Sequence, residues 1–202
     1  TAEFYYYGGK SMGTVLKVIF SRFSEYCSIP DEWRMATVVP IYKKKGSDRD
    51  VQNYRPISLT CNCRRIYERV IRSKIDYLVP QLSNVQGGFR SQRSTLHQVF
   101  SLHEVMVGKT ELHQVFLDFK AAYDMVDRRI LWKVLVDNYY FPRAIVSRLM
   151  DLFDHNRSSL VINGRNGTPF ENRRGLLQGS SLSPILFNFF IDPLLHRLEV
   201  VH

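Results

Sequence analysis

Residues 115–126 read VFLDFKAAYDMV. One acid, Asp118, sits inside the apolar run Phe116, Leu117, Phe119, and a second, Asp124, follows behind Tyr123. Burying an unpaired carboxylate is costly, so Asp118 must either be exposed or find a partner. With its upstream flank, the segment 112–119 (LHQVFLDF) reads as a short strand ending near Asp118. Alternation then puts Val115, Leu117 and Phe119 on one face and Phe116 and Asp118 on the other. A helix is predicted over roughly 125–139, with Val126, Ile130, Val134 and Leu135 inward. An acid at a strand end is well placed for a hard cation, because magnesium favours one or two carboxylates completed by substrate phosphates. The plainer reading is an ordinary strand-terminating Asp118, with Asp124 as N-cap of the next helix. Taken alone, the stretch requires nothing more.

Working outward, the pattern mixes helices and strands without a regular βαβ alternation, which predicts an α+β fold. Residues 11–26 have helical spacing (Met12, Val15, Leu16, Ile19, Phe20, Phe23), and 35–42 (MATVVPIY) reads as a strand. A polar loop over 43–54 leads to a returning strand at 55–60, then a helix over 63–79 through Ile66, Val70, Ile75 and Leu78. Thr95 is a candidate N-cap with Gln98 closing a capping box. The helix it opens buries Leu96, Val99, Phe100, His103 and Val107 and stops at Gly108. Pro142 opens a further helix, with Ile145, Leu149, Leu152 and Phe153 inward. Asn163-Gly164 marks a hairpin within 158–170. A last helix starts at Ser183-Pro184 and is expected to kink or end at Pro193.

The 202 residues suffice for one large or two small domains, and 45% of them are hydrophobic. No apolar run reaches the length of a spanning helix, and no secretory leader is visible. The three cysteines have no framework spacing, which fits a reducing compartment. Cys61-x-Cys63 lacks the paired spacing of a zinc site. A start at Thr1 fits a piece of a longer protein. The net charge of +9 favours a polyanionic partner, although many soluble domains are basic. Arg64, Arg65, Arg69 and Arg72 read as an exposed basic face on their helix, able at most to track a phosphate backbone.

Four further segments occur in order: NYRPISL at 53–59, QGGFRSQRST at 86–95, FLDFKAAYD at 116–124 and RGLLQGSSLSPILFN at 174–188. Together they resemble the reverse transcriptase domain of non-LTR (LINE-type) retrotransposons, and PDEWRMATVVPIYKKKG at 30–46 is similar to the same family's fingers entry. The resemblance covers the chain from about residue 11. It implies a right-hand polymerase with fingers at about 31–110, a partial palm at about 111–202 and no thumb, after a lead-in helix within 1–30. It further implies that Asp118 is the first catalytic carboxylate and that the Phe119 carbonyl helps hold the same metal, one of two Mg2+ ions that would drive nucleotidyl transfer. Tyr123 matches the aromatic steric gate that crowds a 2′-hydroxyl. Lys43 and Arg55 match basic residues that grip the triphosphate. Gln178 and Gly179 match the turn that touches the nucleotide's sugar and base, and Gln86, Gly87, Phe89 and Arg90 match a template-binding segment. The implied partners are an RNA template, a DNA primer and deoxynucleoside triphosphates, with no membrane, in the nucleus or cytoplasm.

The sequence departs from the family at one point. The palm needs a hairpin with two adjacent aspartates, and no Asp-Asp pair occurs in this chain. With Asp118 and a carbonyl alone, two metals lack most of their ligands, and the sheet loses a strand beside Asp118. The 202 residues alone are therefore expected to be inactive and only marginally folded. The alternative from another class is a non-catalytic nucleic-acid-binding remnant of a retrotransposon.

Overall fold

The computed structural model describes residues 2–26 and 28–199. Cys27 and the chain end at His202 lie outside the described residues. The architecture is a small mixed sheet with helices around it. Its central strand, β1 (Met35–Tyr42), is rich in β-branched residues and pairs antiparallel with β2 (Tyr54–Leu59), with Val38 opposite Ser58. On its other side β1 runs parallel to β3 (Arg157–Ile162), with Val38 opposite Leu160. β3 turns through Asn163 (φ 50°) and Gly164 (φ 74°) into β4 (Arg165–Asn166). Two positive φ angles are what a two-residue type I′ hairpin demands, so the Asn-Gly signal is realised. β5 (Phe170–Glu171) returns to pair with the start of β3.

Before the sheet come α1 (Ala2–Tyr7) and α2 (Gly9–Tyr26). The α2 side chains Phe20 and Phe23 pack edge-on to Trp33, with ring centroids 6.1 and 5.0 Å apart, and both also approach Tyr67. Tyr67 lies on α3 (Asn62–Ile75), which continues into a 3₁₀ segment Asp76–Gln81. After α4 (Thr95–Met106) come α5 (Arg128–Asp137), α6 (Arg143–Phe153) and α7 (Ser183–Glu199). One apolar cluster joins Phe20 and Trp33 to Leu149, Phe153, Ile185 and Phe189. The lead-in helix, the α3 region and the C-terminal helices thus share a single core.

Several expectations are corrected. Residues 111–119 form no strand: they carry no regular secondary structure and are exposed, Phe116 to 81%. A strand persists only with a hydrogen-bonding neighbour, and among the described residues none is offered there. The α4 stripe is not buried either. Leu96 is 72% exposed, and Val99, Phe100 and Val107 are likewise on the surface. Its cap is Ser94, whose Oγ accepts from the His97 N–H, one residue before the expected Thr95. The cap of α5 is Asp127, accepting from the Arg129 N–H, and not Asp124.

The buried face of α3 also differs from expectation. It carries Arg64, Tyr67, Glu68, Ile71 and Ile75, while Val70 is exposed. That set follows the i, i+3, i+4, i+7 rule, but two members are charged, so an apolar count points to the neighbouring stripe. Arg64 is fully buried and not part of a solvated basic face. Its guanidinium donates to the Trp33 and Leu152 carbonyls (2.6 and 3.0 Å), to Asn156 Oδ1 (2.8 Å) and to Glu68 Oε1 (2.9 Å). Arg72 is paired with Asp76 at 2.6 Å.

Pro193 does not end α7, which runs on to Glu199. The preceding residue, Asp192, is fully buried and accepts from the Ser83 N–H (3.1 Å) and the Tyr139 hydroxyl (2.5 Å). These tertiary bonds hold the helix in place where the proline removes a backbone donor.

Candidate nucleotide-binding cleft

The segment 172–183 is pinned from several directions. From the α5 side, Arg128 donates to the Asn172 and Gly175 carbonyls at 2.7 and 3.2 Å. The Gly175 and Leu176 N–H groups donate to the Val126 and Tyr123 carbonyls, each at 2.9 Å. From β2, the Ser58 N–H donates to the Gln178 carbonyl at 2.7 Å. Beneath, Glu68 Oε2 accepts from Ser180 Oγ (2.9 Å) and from the N–H and Oγ of Ser181 (3.0 and 3.4 Å). At the helix start, Ser183 Oγ donates to the Leu177 carbonyl at 2.8 Å.

Two glycines make these approaches possible. Gly175 has φ +86°, and a Cβ there would lie 2.9 Å from the Asp124 carbonyl oxygen. Gly179 has φ +136°, and a Cβ there would lie 2.3 Å from the Ser58 carbonyl oxygen. Any side chain at either place meets rigid backbone.

A cleft of about 250 Å³ opens between Val38, Pro56 and Ser58 on the sheet and Asp124, Arg174 and Gln178 on the turns. Gln178 Nε2 donates to Asp124 Oδ2 at 3.4 Å. Burial raises the Asp124 carboxyl above its ordinary value, and the Gln178 amide opposes that shift. Tyr123 packs edge-on against Phe187 of α7, with centroids 5.4 Å apart, and burial raises its phenol likewise. Arg174 is engaged by no ion pair or hydrogen bond among the described residues.

The other singled-out residues lie elsewhere. Asp118 and Phe119 sit on that exposed segment and do not line this cleft. Among the described residues, no three His, Cys, Asp or Glu side chains are grouped so as to hold a metal. Lys43 donates through Nζ to the Gln52 carbonyl at 2.7 Å, closing the loop after β1. Arg55 alternates on β2 with Pro56 and Ser58, so it projects from the opposite face of the sheet. In the segment 86–90, Gln86 Oε1 accepts from the Gly88 N–H at 3.0 Å, and Asn188 Nδ2 donates to the Gly88 carbonyl at 2.6 Å. The Arg90 guanidinium turns back onto the Ser83 and Gln86 carbonyls at 2.7 and 3.1 Å. Gly87 faces the Gln98 side chain, and Phe89 is exposed with φ 54°.

The structure brings together Tyr123, Gln178 and Gly179, and adds Asp124, Arg174, Glu68 and Arg128, which the sequence reading did not place there. Glu68 had a signal that could have been used: an i, i+4 Arg–Glu pair in register with Tyr67 and Ile71. Arg174 had none beyond its place beside the Gly175 turn.

Residues 41–202 match the family "Reverse transcriptase (RNA-dependent DNA polymerase)". The chain is 27% identical over 183 residues to a "Probable RNA-directed DNA polymerase from transposon BS" of Drosophila melanogaster, covering 87% of this chain and 20% of that protein. It is 28% identical over 184 residues to the "RNA-directed DNA polymerase from mobile element jockey" of the same fly, with the same coverage. A retrovirus-related Pol polyprotein from a type-1 retrotransposable element of Nasonia vitripennis is 25% identical over 193 residues, 93% of this chain and 18% of that protein. The chain thus spans about one fifth of the length of these curated relatives.

Proposed function

Because the chain belongs to the reverse transcriptase (RNA-dependent DNA polymerase) family, we propose that its cleft receives the incoming deoxynucleotide during RNA-templated DNA synthesis. One observation carries this reading. The Tyr123-Asp124 turn and the Gln178-Gly179 turn, more than fifty residues apart in sequence, meet at one cleft through Gly175. In this reading Tyr123, braced by Phe187, crowds the 2′ position of the sugar. Gln178 and Gly179 face sugar and base, and Arg174 draws phosphate to the cleft mouth. Arg55 meets the triphosphate where a bound nucleotide reaches the sheet's other face, and Lys43 approaches it from the loop after β1. Gln86, Gly87, Phe89 and Arg90 shape a template-side loop, in which Arg90 stabilises the backbone. The fingers and palm of a right-hand polymerase belong to this same proposal.

The family's chemistry uses divalent metal ions. The donor set of these 202 residues does not fit a two-metal site, since Asp118 has no grouped companions among the described residues. The expected outcome is that the purified 202-residue protein extends no primer, and templated incorporation by it would overturn that.

The functional reading itself is tested in a polypeptide joining these residues to an Asp-Asp hairpin. RNA-templated extension that Asp118→Asn abolishes supports it. In the same polypeptide Tyr123→Val should admit ribonucleotides, and unchanged sugar discrimination refutes the gate. The ungrouped Asp118 favours a second reading, a nucleic-acid-binding remnant. Salt-dependent RNA binding without extension by the joined polypeptide is its signature.

A further inference from the structure

We infer that Glu68, which lies outside every motif above, is the positioning residue for the Gln178-Gly179 turn, so that nucleotide affinity depends on a buried carboxylate that touches no nucleotide. This rests on the cleft reading. Glu68 is fully buried on α3. One of its oxygens takes Arg64 Nε at 2.9 Å, and the other takes Ser180 Oγ, Ser181 N–H and Ser181 Oγ at 2.9, 3.0 and 3.4 Å. These serines directly follow Gly179. On its other side, among the described residues, Gln178 is tied by its carbonyl to the Ser58 N–H and by its amide to Asp124 at 3.4 Å, and the turn is closed by the Ser180 N–H donating to the Leu177 carbonyl at 3.3 Å. Glu68 therefore supplies the bonds that fix where the turn ends, while Ser58 fixes where it begins.

The chemistry is asymmetric and can be tested. Every contact at Glu68 uses a carboxylate oxygen as acceptor. Glutamine keeps the shape but replaces one acceptor by an NH2 group. Either the Arg64 side or the serine side then faces donor against donor. Arg64 is itself anchored on Trp33, Leu152 and Asn156, so it holds Glu68 against α6 and the segments that lead into β1 and β3 while Glu68 holds the turn. Arg64 and Glu68 thus tie the turn to the core rather than leaving it to follow the surface.

The test uses the polypeptide joining these residues to an Asp-Asp hairpin, with an RNA–DNA template–primer duplex and a fluorescent deoxynucleoside triphosphate as probe. Two variants are compared with wild type: Glu68→Gln, and Ser180→Ala combined with Ser181→Ala. The second leaves the Arg64–Glu68 pair intact, so it covers the case in which Glu68→Gln does not fold. The expected result is faster amide exchange confined to residues 176–182 and probe binding weakened roughly tenfold or more, the scale of loss when a contacting group is misplaced. Duplex affinity should stay close to wild type in the serine variant, whose thermal midpoint falls through the lost Glu68 and Leu182 bonds while the chain remains folded at the assay temperature. Probe affinity equal to wild type in a folded variant overturns the inference. So does a loss of probe binding that merely parallels a loss of duplex binding and folded fraction, which marks a purely structural role. If the wild-type chain binds duplex but no probe, the cleft reading fails and this inference fails with it. Wild-type binding with unaffected variants defeats the inference alone.

Discussion

At the scale of single residues, the site is set by backbone clearances and by where carboxylates are allowed to sit. Gly179 combines a left-handed φ of +136° with a Cβ position 2.3 Å from the Ser58 carbonyl oxygen. Gly179→Ala is expected to destabilise the chain by about 1–3 kcal/mol, the cost of a strained backbone position. Urea denaturation of the purified chain measures it, and an unchanged midpoint would contradict the close approach. Asp124 gives a pH prediction. Its native pKa is raised by burial, so its proton is held more tightly in the folded state. Its stabilising contribution is complete below the unfolded value of about 3.9 and is lost as pH rises through the native value. Asp124→Asn removes that loss. The variant's urea midpoint should gain on wild type as pH rises above the unfolded value of about 3.9. A difference that stays flat or falls over this window goes against the assignment.

At the scale of elements, caps and partners decide what residue patterns alone cannot. Two acids precede α5, and only the nearer one meets its first turn. Asp127→Ala should lower the thermal midpoint of the chain, whereas Asp124→Ala should leave α5 intact by circular dichroism. The helix α4 has a sound cap at Ser94 and a regular apolar stripe, yet its twelve residues are exposed throughout. An isolated helix of that length is marginal in water. Its amides should exchange orders of magnitude faster than those of α6, whose Leu149, Leu152 and Phe153 are fully buried. Comparable protection in the two helices would show that α4 has a packing partner. The segment 112–119 teaches the same lesson for strands, where alternation prepares a surface and only a neighbour turns it into a sheet.

At the scale of the whole molecule, a few buried polar groups tie distant segments together. Arg64 reaches Trp33, Leu152 and Asn156, and Glu68 reaches the turn at Ser180. Arg64→Ala leaves Glu68 buried without its ion-pair partner and is expected to cost about 3–5 kcal/mol, measured by denaturant unfolding. A cost near that of a surface arginine would show that water reaches the site. The sequence by itself determined β1, β2, the Asn163-Gly164 hairpin, α2, α5 and α6, because each carries local turn, cap or periodicity signals that short-range sterics enforce. It also determined the family, through motifs whose residue types and order are specific. The tertiary structure alone decided which α3 face is buried, that α7 passes through Pro193, and that residues 112–119 find no strand partner among the described residues. It also placed Glu68 and Arg128 as supports of the Gln178-Gly179 turn. The physical reason is the same in each case: burial of a charge, tolerance of a proline and pairing of a strand depend on groups far along the chain, and local pattern carries no record of them.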